Sequence, residues 1–155
     1  MAIAASGLAA VIGCAPATPT TNAPVRIAEP GQTAAERRLA DWTAALEAPL
    51  GSGGVAKTTS EAAAAVEAAR AVLGETRGTL AATRSRVVQG RLPQSTLGEV
   101  TTGARRNVAL MRRASRATAS RRAALAGAAP ANELADLDRR ARSLAEMADA
   151  LNAEL

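Results

Sequence analysis

Apolar residues recur at helical spacing in four stretches of the chain, and proline or glycine bounds each stretch. The first stretch opens at Thr33 and ends before Pro49. Its apolar face consists of Ala35, Leu39, Trp42 and Leu46, which follow one another at intervals of three or four residues and so share one side of a helix. Glu36 lies three residues after Thr33, which is the spacing of a capping box. The pattern therefore predicts a helix that begins at Thr33.

The second stretch runs from about Ser60 to Gln89 and repeats every seven residues. Its large apolar positions are Val66, Leu73, Leu80 and Val87, and the alternate positions are Ala62, Ala69, Thr76 and Thr83. The same period continues in Arg70, Arg77, Arg84 and Arg91. This heptad predicts a long helix with a seam and a basic edge. Gly74 and Gly78 interrupt the pattern, and we interpret them as positions that allow a close helix crossing.

The third and fourth stretches complete the helical pattern. The third opens with a second capping-box spacing, Thr96 to Glu99, and continues to about Ala126 before Pro130. Its apolar face is Leu97, Val100, Ala104, Val108, Met111 and Thr118. The fourth begins at about Asn132, and its apolar positions alternate three and four residues apart: Leu134, Leu137, Ala141, Leu144, Ala148, Leu151 and Leu155.

Heptad-like helices joined by short loops predict an all-α fold, an antiparallel helical bundle or coiled coil of three to four helices over residues 33–155. By composition, 42 residues are alanine, and many of them occupy seam positions, where they bury little apolar area. The core is therefore expected to be thin. Self-association through the fourth helix would add to it, and this is a hypothesis of the sequence.

The segment before the first helix has a different character. Residues 2–12 are uncharged and apolar or small, which is the length of the apolar region of a signal peptide and too short to span a bilayer as a helix. The segment ends in Val11-Ile12-Gly13-Cys14, and Cys14 is the one cysteine of the chain. Here the sequence resembles a bacterial lipoprotein signal with its lipobox, over about the first 14 residues.

This resemblance implies specific roles for two residues. Cys14 would carry the lipid, and Gly13 would be the small residue at which the signal peptidase cleaves, so that residues 1–13 are a signal. The protein would then face the periplasm and attach to a membrane through the lipid on Cys14. Ala15 is not the acidic residue associated with inner-membrane retention in such lipoproteins. The outer membrane is therefore the predicted location, with the inner membrane as the alternative.

Residues 14–32 follow the cysteine and predict a tether. They contain four of the seven prolines, Pro16, Pro19, Pro24 and Pro30. Proline fixes its own φ and keeps the preceding residue out of the helical region. A Pro/Thr/Ala-rich segment of this kind predicts a disordered or extended connection with a reach of roughly 55 Å, at about 3.1 Å per residue.

The composition argues against catalysis. The chain has no His, Tyr or Phe, one Cys and one Trp, so zinc, haem and Ser-His-Asp chemistry lack their residues. Residues 51–58, GSGGVAKT, nearly match a phosphate-binding loop, but Ala56 replaces the second glycine and no strand precedes them. Glu61, Glu67 and Glu75 lie off the seam and are predicted to face solvent. We therefore predict that the protein is not an enzyme and holds no cofactor or metal.

The net charge of +5 is unevenly distributed: residues 93–127 sum to +6 and residues 128–155 to −3. The third helix carries a basic face, and its candidate anion-binding residues are Arg105, Arg106, Arg112, Arg113 and Arg116. Three interpretations stay open. These residues pair with the acidic fourth helix or remain solvated, they bind an anionic membrane or envelope polymer, or they bind nucleic acid. Nucleic acid is the least favoured, because aromatic side chains for base stacking are missing.

Together these observations predict a lipid-anchored envelope protein with a non-catalytic structural or interaction role exerted through its helical seams. Its partners would be the membrane, a second copy or another helical protein. One alternative is a cytosolic helical protein that binds nucleic acid through the Arg-rich face. Another is a phage outer-membrane lipoprotein similar to the spanin subunits, which also combine a Pro-rich tether with coiled-coil pairing.

Overall fold

A computed structural model describes residues 32–155, which form four α-helices joined by short loops. The helices are α1 (Ala34–Glu47), α2 (Gly54–Val88), α3 (Gln94–Ala124) and α4 (Ala131–Asn152). Residues 32–155 contain no strand, so the predicted all-α helical bundle is confirmed. The predicted signal, and the predicted tether up to residue 31, lie outside the described residues.

Consecutive helices run antiparallel, and α1 and α4 pack on opposite sides of the α2–α3 pair without contacting each other. Near its start, α1 contacts α3 through Glu36 and Asn107. Near its end it contacts α3 through Glu47 and Arg113. Since residue numbers rise along both helices from one contact to the next, α1 and α3 point the same way, as expected for an up-down-up-down bundle.

The two ends of the bundle are built differently. At one end, which we call the hairpin end, residues 89–93 join α2 to α3. There Thr33, the cap of α1, lies beside Val100, and Glu154, two residues after the end of α4, contacts Arg77 of α2. At the opposite end, the double-loop end, residues 48–53 and 125–130 connect the helices. No residue between 84 and 103 is buried, so the hairpin end reaches beyond the cover of α1 and α4.

Most of the predicted seam positions form the core, whereas Trp42, Leu73, Val87, Leu97 and Val100 are half-buried. Of the seven positions predicted for α4, five are buried and two, Leu134 and Leu155, are half-buried. The large side chains at the centre of the core are Leu39, Leu46, Leu80, Met111, Leu137, Leu144 and Leu151. The apolar face of α4 is therefore covered by α2 and α3 of the same chain. Self-association of the protein stays a prediction.

The start of α2 differs from the prediction by six residues, because the helix begins at Gly54 and not near Ser60. Two hydroxyl groups accompany this first turn: Thr58 donates to the Gly54 carbonyl and Thr59 to the Val55 carbonyl. Thr58 is fully buried, which anchors the turn to the core. The segment that resembles a phosphate-binding loop is therefore largely helical.

The predicted capping box of α3 is wrong, whereas that of α1 is confirmed. Thr33 and Glu36 accept hydrogen bonds from each other's backbone N–H groups. In α3, however, Pro93 occupies the capping position and no side chain caps the helix. The fixed φ of proline suits a helix entrance. Thr96 consequently lies inside the first turn, where it cannot act as the cap.

Two interpretations of α2 are also wrong. A side chain placed at Gly74 or Gly78 would meet no atom of the described residues within 4 Å, so these glycines face open space and not a crossing helix. Glu61 is buried, because α2 contacts three other helices and its covered face is wider than a two-helix seam. One carboxylate oxygen of Glu61, Oε2, has no hydrogen-bond partner within the described structure.

Candidate functional site

The five arginines predicted on the basic face of α3 are all exposed. Positions three, four, seven and eleven residues apart return to the same side of a helix, so Arg105, Arg112 and Arg116 form one row. Arg106 and Arg113 lie at the edge of this row that faces α1. The predicted placement of the five side chains on a solvent-facing surface is thus confirmed. The five differ in whether an acidic side chain of the bundle pairs with them.

Two of the five arginines hold neighbouring helices. Arg112 donates to Asp149 of α4 at 2.8 Å, and Nε and Nη2 of Arg113 each donate to one carboxylate oxygen of Glu47 of α1 at 2.5 Å. The hydrogen bond with Glu47 raises the pKa of Arg113 above its ordinary value. Two parallel hydrogen bonds between a guanidinium and a carboxylate fix the relative orientation of the two groups in addition to pairing their charges. These two side chains therefore position helices.

The pairing of the basic third helix with the acidic fourth helix, one of the predicted interpretations, is confirmed for one of the five candidates, Arg112. Besides Arg112, Arg122 contacts Asp138 at 3.1 Å. The other three candidates, Arg105, Arg106 and Arg116, make no hydrogen bond or ion pair with any residue from 32 to 155. They are the members of the predicted set that retain free donors for an anion.

Arg121 has a structural role that the sequence analysis missed. Its side chain is buried and donates to backbone carbonyls at the end of α1: Leu46 at 2.7 Å, Ala45 at 3.0 Å, and Ala48. The last carbonyls of a helix lack intrahelical partners and carry partial negative charge. Because α1 has no basic residue in its own last turn, Arg121 of α3 satisfies these groups.

A buried polar network closes the core near the hairpin end. The side-chain amide of Asn107 donates to Glu36 at 2.6 Å and to Thr76 at 3.0 Å, and so links α1, α2 and α3. Beside it lies a groove of about 290 Å³ whose rim includes Glu75 and Glu99. No sequence motif signals this network, since its three members are far apart in the chain.

A second, wider groove of about 650 Å³ lies where α1 ends against α3. Arg113, Arg116 and Arg121 line it together with the exposed Leu50. Two of these three arginines already hold partners inside the bundle, which leaves Arg116 as the free cation of this groove. The groove is therefore a weaker candidate for an anion than its composition alone suggests.

Within residues 32–155, no cluster of three or more metal-ligating side chains exists. None of the four described helices combines the length and apolar character needed to cross a membrane. Gly13 and Cys14 lie outside the described residues, so the structure does not place them. Comparison with protein-family models, curated proteins and solved structures returned no match for this chain.

Proposed function

We propose that this protein is a lipid-anchored envelope protein whose helical body has a non-catalytic interaction role. Cys14 is the proposed attachment point and Gly13 the residue before the cleaved bond. The proposed location is the periplasmic side of the outer membrane, with the inner membrane as the alternative. The proposal combines the lipobox-like sequence with the way in which the described body begins.

The capping box of α1 is the observation that carries the proposal. Thr33 and Glu36 cap the start of the first helix with reciprocal hydrogen bonds, and this cap marks a defined start of the folded body. The core closes among the four helices from Ala35 to Leu151. Eighteen residues separate Cys14 from Thr33. A lipid on Cys14 is therefore compatible with the bundle, because these eighteen residues of chain lie between the attachment point and the cap of the first helix.

Intact-mass analysis of the protein from a membrane fraction tests this proposal. The expected mass corresponds to loss of residues 1–13 and addition of acyl chains to Cys14. Cys14→Ser is expected to remain unprocessed, while Ser6→Ala, a matched change inside the leader, should be processed as the wild type is. An unmodified chain that begins at Met1 and stays in the soluble fraction would overturn the proposal.

The second candidate is nucleic-acid binding through the Arg-rich face of α3. The free donors of Arg105, Arg106 and Arg116 favour it, since phosphate contacts require unpaired cations. Titration with a 20-base-pair DNA duplex at several salt concentrations tests it. Affinity that falls steeply with salt, and falls again in Arg105→Gln and Arg116→Gln, would support this function, whereas Arg139→Gln serves as a control distant from the face.

A further inference from the structure

The hairpin end carries the largest concentration of unpaired positive charge in the described structure. Residues 84–106 include five arginines and one glutamate: Arg84, Arg86, Arg91, Arg105, Arg106 and Glu99. Arg84 donates to the Glu154 carbonyl. The other four arginines are exposed, and their side chains have no hydrogen bond or ion pair with residues 32–155. Their donors are therefore available to a partner outside the bundle.

An exposed apolar side chain stands among these charges. Val88, the last residue of α2, is 88% exposed, the highest exposure of any large apolar side chain described. Val87, Leu92 and Leu97 surround the same turn and are only half-buried. An exposed apolar side chain close in the chain to Arg86 and Arg91 matches the interfacial region of a bilayer, where apolar groups enter the acyl boundary and cations meet the phosphates.

The first helix begins at this same end of the bundle, so a lipid on Cys14 would be connected to the body there. Thr33, where α1 begins, lies beside Thr79 and Val100 at the base of the hairpin end. Any chain that connects Cys14 to the body therefore reaches it at this end. We propose that the hairpin end docks on a lipid surface that contains anionic phosphatidylglycerol headgroups. This inference rests on the proposed lipid attachment and assigns the membrane-facing surface of the body.

Charge complementarity selects this occupant over the others. A second copy would present the same arginines and be repelled. Nucleic acid offers phosphates but no apolar phase for Val88, and the one tryptophan, Trp42, lies on α1 against α2 and not at the turn. Anionic lipid supplies both phosphates for the arginines and an apolar phase for Val88. Because the lipid chains of Cys14 retain the protein, the arginines would determine the orientation of the body and not its attachment.

Vesicle co-sedimentation of the full chain tests the inference. All variants carry Cys14→Ser, so that binding is measured without the lipid and with an identical leader. Vesicles of phosphatidylglycerol and phosphatidylcholine (3:1) are compared with phosphatidylcholine alone. We expect at least about tenfold tighter binding to the anionic vesicles at low salt, and a smaller ratio at moderate salt because counterions screen the charges.

Two variants locate the contact. The triple variant Arg86→Gln, Arg91→Gln, Arg105→Gln should weaken anionic-vesicle binding about tenfold. The control, Arg70→Gln, Arg139→Gln, Arg142→Gln, removes the same charge from exposed positions away from the hairpin end and should change binding less than about twofold. Val88→Ser should weaken vesicle binding about threefold. Circular dichroism melts confirm that each variant is folded.

Several results would overturn the inference. These are equal losses in the two triple variants, no preference for anionic vesicles, or tighter binding to a DNA duplex that Val88→Ser leaves unchanged. The vesicle assay and the mass analysis of Cys14 fail independently. A lipidated protein without vesicle preference refutes the docking surface alone, and vesicle binding by a chain that is never lipidated refutes the proposed attachment alone.

Discussion

The double-loop end and the hairpin end of the bundle use the same kind of side chain in opposite ways. At the double-loop end, arginines bind groups of the protein itself: Arg121 binds the end of α1, Arg122 binds Asp138, and Arg140 binds Asp136 at 2.6 Å. At the hairpin end, the side chains of Arg86 and Arg91 bind no group of the described residues. One end is thus organised for internal cohesion and the other presents its charge outward.

The difference shows why a count of arginines predicts little about binding. The basic residues are spread over both long helices, and the acidic residues at or after α4 that pair with them are Asp138, Asp149 and Glu154. Acidic partners are scarce beside the turn at residues 89–93, where Glu99 is the one carboxylate between residues 84 and 106. Free positive charge therefore concentrates beyond the end of α4.

The largest expected effect is at Arg121. Arg121→Met should lower the free energy of unfolding by about 2–3 kcal/mol, because carbonyls at the end of α1 lose a charged hydrogen-bond donor. Urea unfolding monitored by circular dichroism measures the change. Arg122→Met removes a neighbouring arginine from a more exposed ion pair and should cost less than about 1 kcal/mol. Equal losses for the two variants would contradict the assigned role.

Glu61 also lies toward the double-loop end, and its replacement should stabilise the protein. Glu61→Met removes a buried carboxylate oxygen without a partner and keeps the length of the side chain. We expect a gain of about 1–2 kcal/mol in the free energy of unfolding. Lys57, 3.8 Å from Glu61, is exposed, so Lys57→Met should change stability by less than about 0.5 kcal/mol. A destabilised Glu61→Met variant would refute this account.

Asp136 should make the double-loop end sensitive to acid. The hydrogen bond from Arg140, with a smaller contribution from Arg139, lowers the pKa of Asp136 in the folded protein. The stabilisation is therefore complete above the unfolded-state value of about 3.9 and is lost as the pH falls through the lower folded-state pKa.

Asp136→Asn should accordingly cost about 1 kcal/mol at pH 7, and the difference from wild type should shrink toward zero in acid. Urea unfolding at a series of pH values measures this difference. Repeating the comparison in an Arg140→Met background should reduce it at pH 7. A difference that stays constant with pH would contradict the pKa argument.

The glycines of α2 allow a smaller gain toward the hairpin end. Because both positions face open space, Gly74→Ala and Gly78→Ala should each raise the free energy of unfolding by about 0.8–1 kcal/mol. Ala81→Gly, the reverse change at another exposed position of the same helix, should lower it by a similar amount. Destabilisation by either alanine would indicate that a neighbour approaches these glycines.

The smallest effect is expected at the apex of the hairpin end. Val88→Ser should change the free energy of unfolding by less than about 0.5 kcal/mol, because the side chain is almost fully exposed. Thermal melts at two protein concentrations measure it. A loss above 1 kcal/mol would mean that Val88 is covered in solution, and the contrast between the two ends would then be weaker than described.

The periodic features of this chain were predictable from the sequence because they are local. The spacing of Leu137, Leu144 and Leu151 follows from the helical repeat, so the buried face of α4 is encoded within α4 itself. The same holds for the capping box at Thr33, whose two members are three residues apart. The exposure of the five arginines of α3 was also predictable, since their positions lie away from the apolar face of the same helix.

Spatial relations between helices were not predictable in this way. Arg121 and Arg122 are adjacent and chemically identical, yet one is buried against the end of α1 and the other faces α4. Neighbouring residues on a helix point about 100° apart, so the rotation of α3 between α1 and α4 decides their roles. Glu61 became buried for a related reason, because α2 packs against three helices instead of one.

The sequence by itself therefore determined the four helices, their apolar faces and the candidate attachment at Cys14. Tertiary structure alone decided which arginines remain free, and it brought Thr33, Val88 and the unpaired charges to one end. The physical reason is the distance along the chain over which each interaction acts. Helical periodicity and capping act within a few residues. Ion pairing and burial, in contrast, depend on the register and rotation of helices that are separated by dozens of residues in the chain.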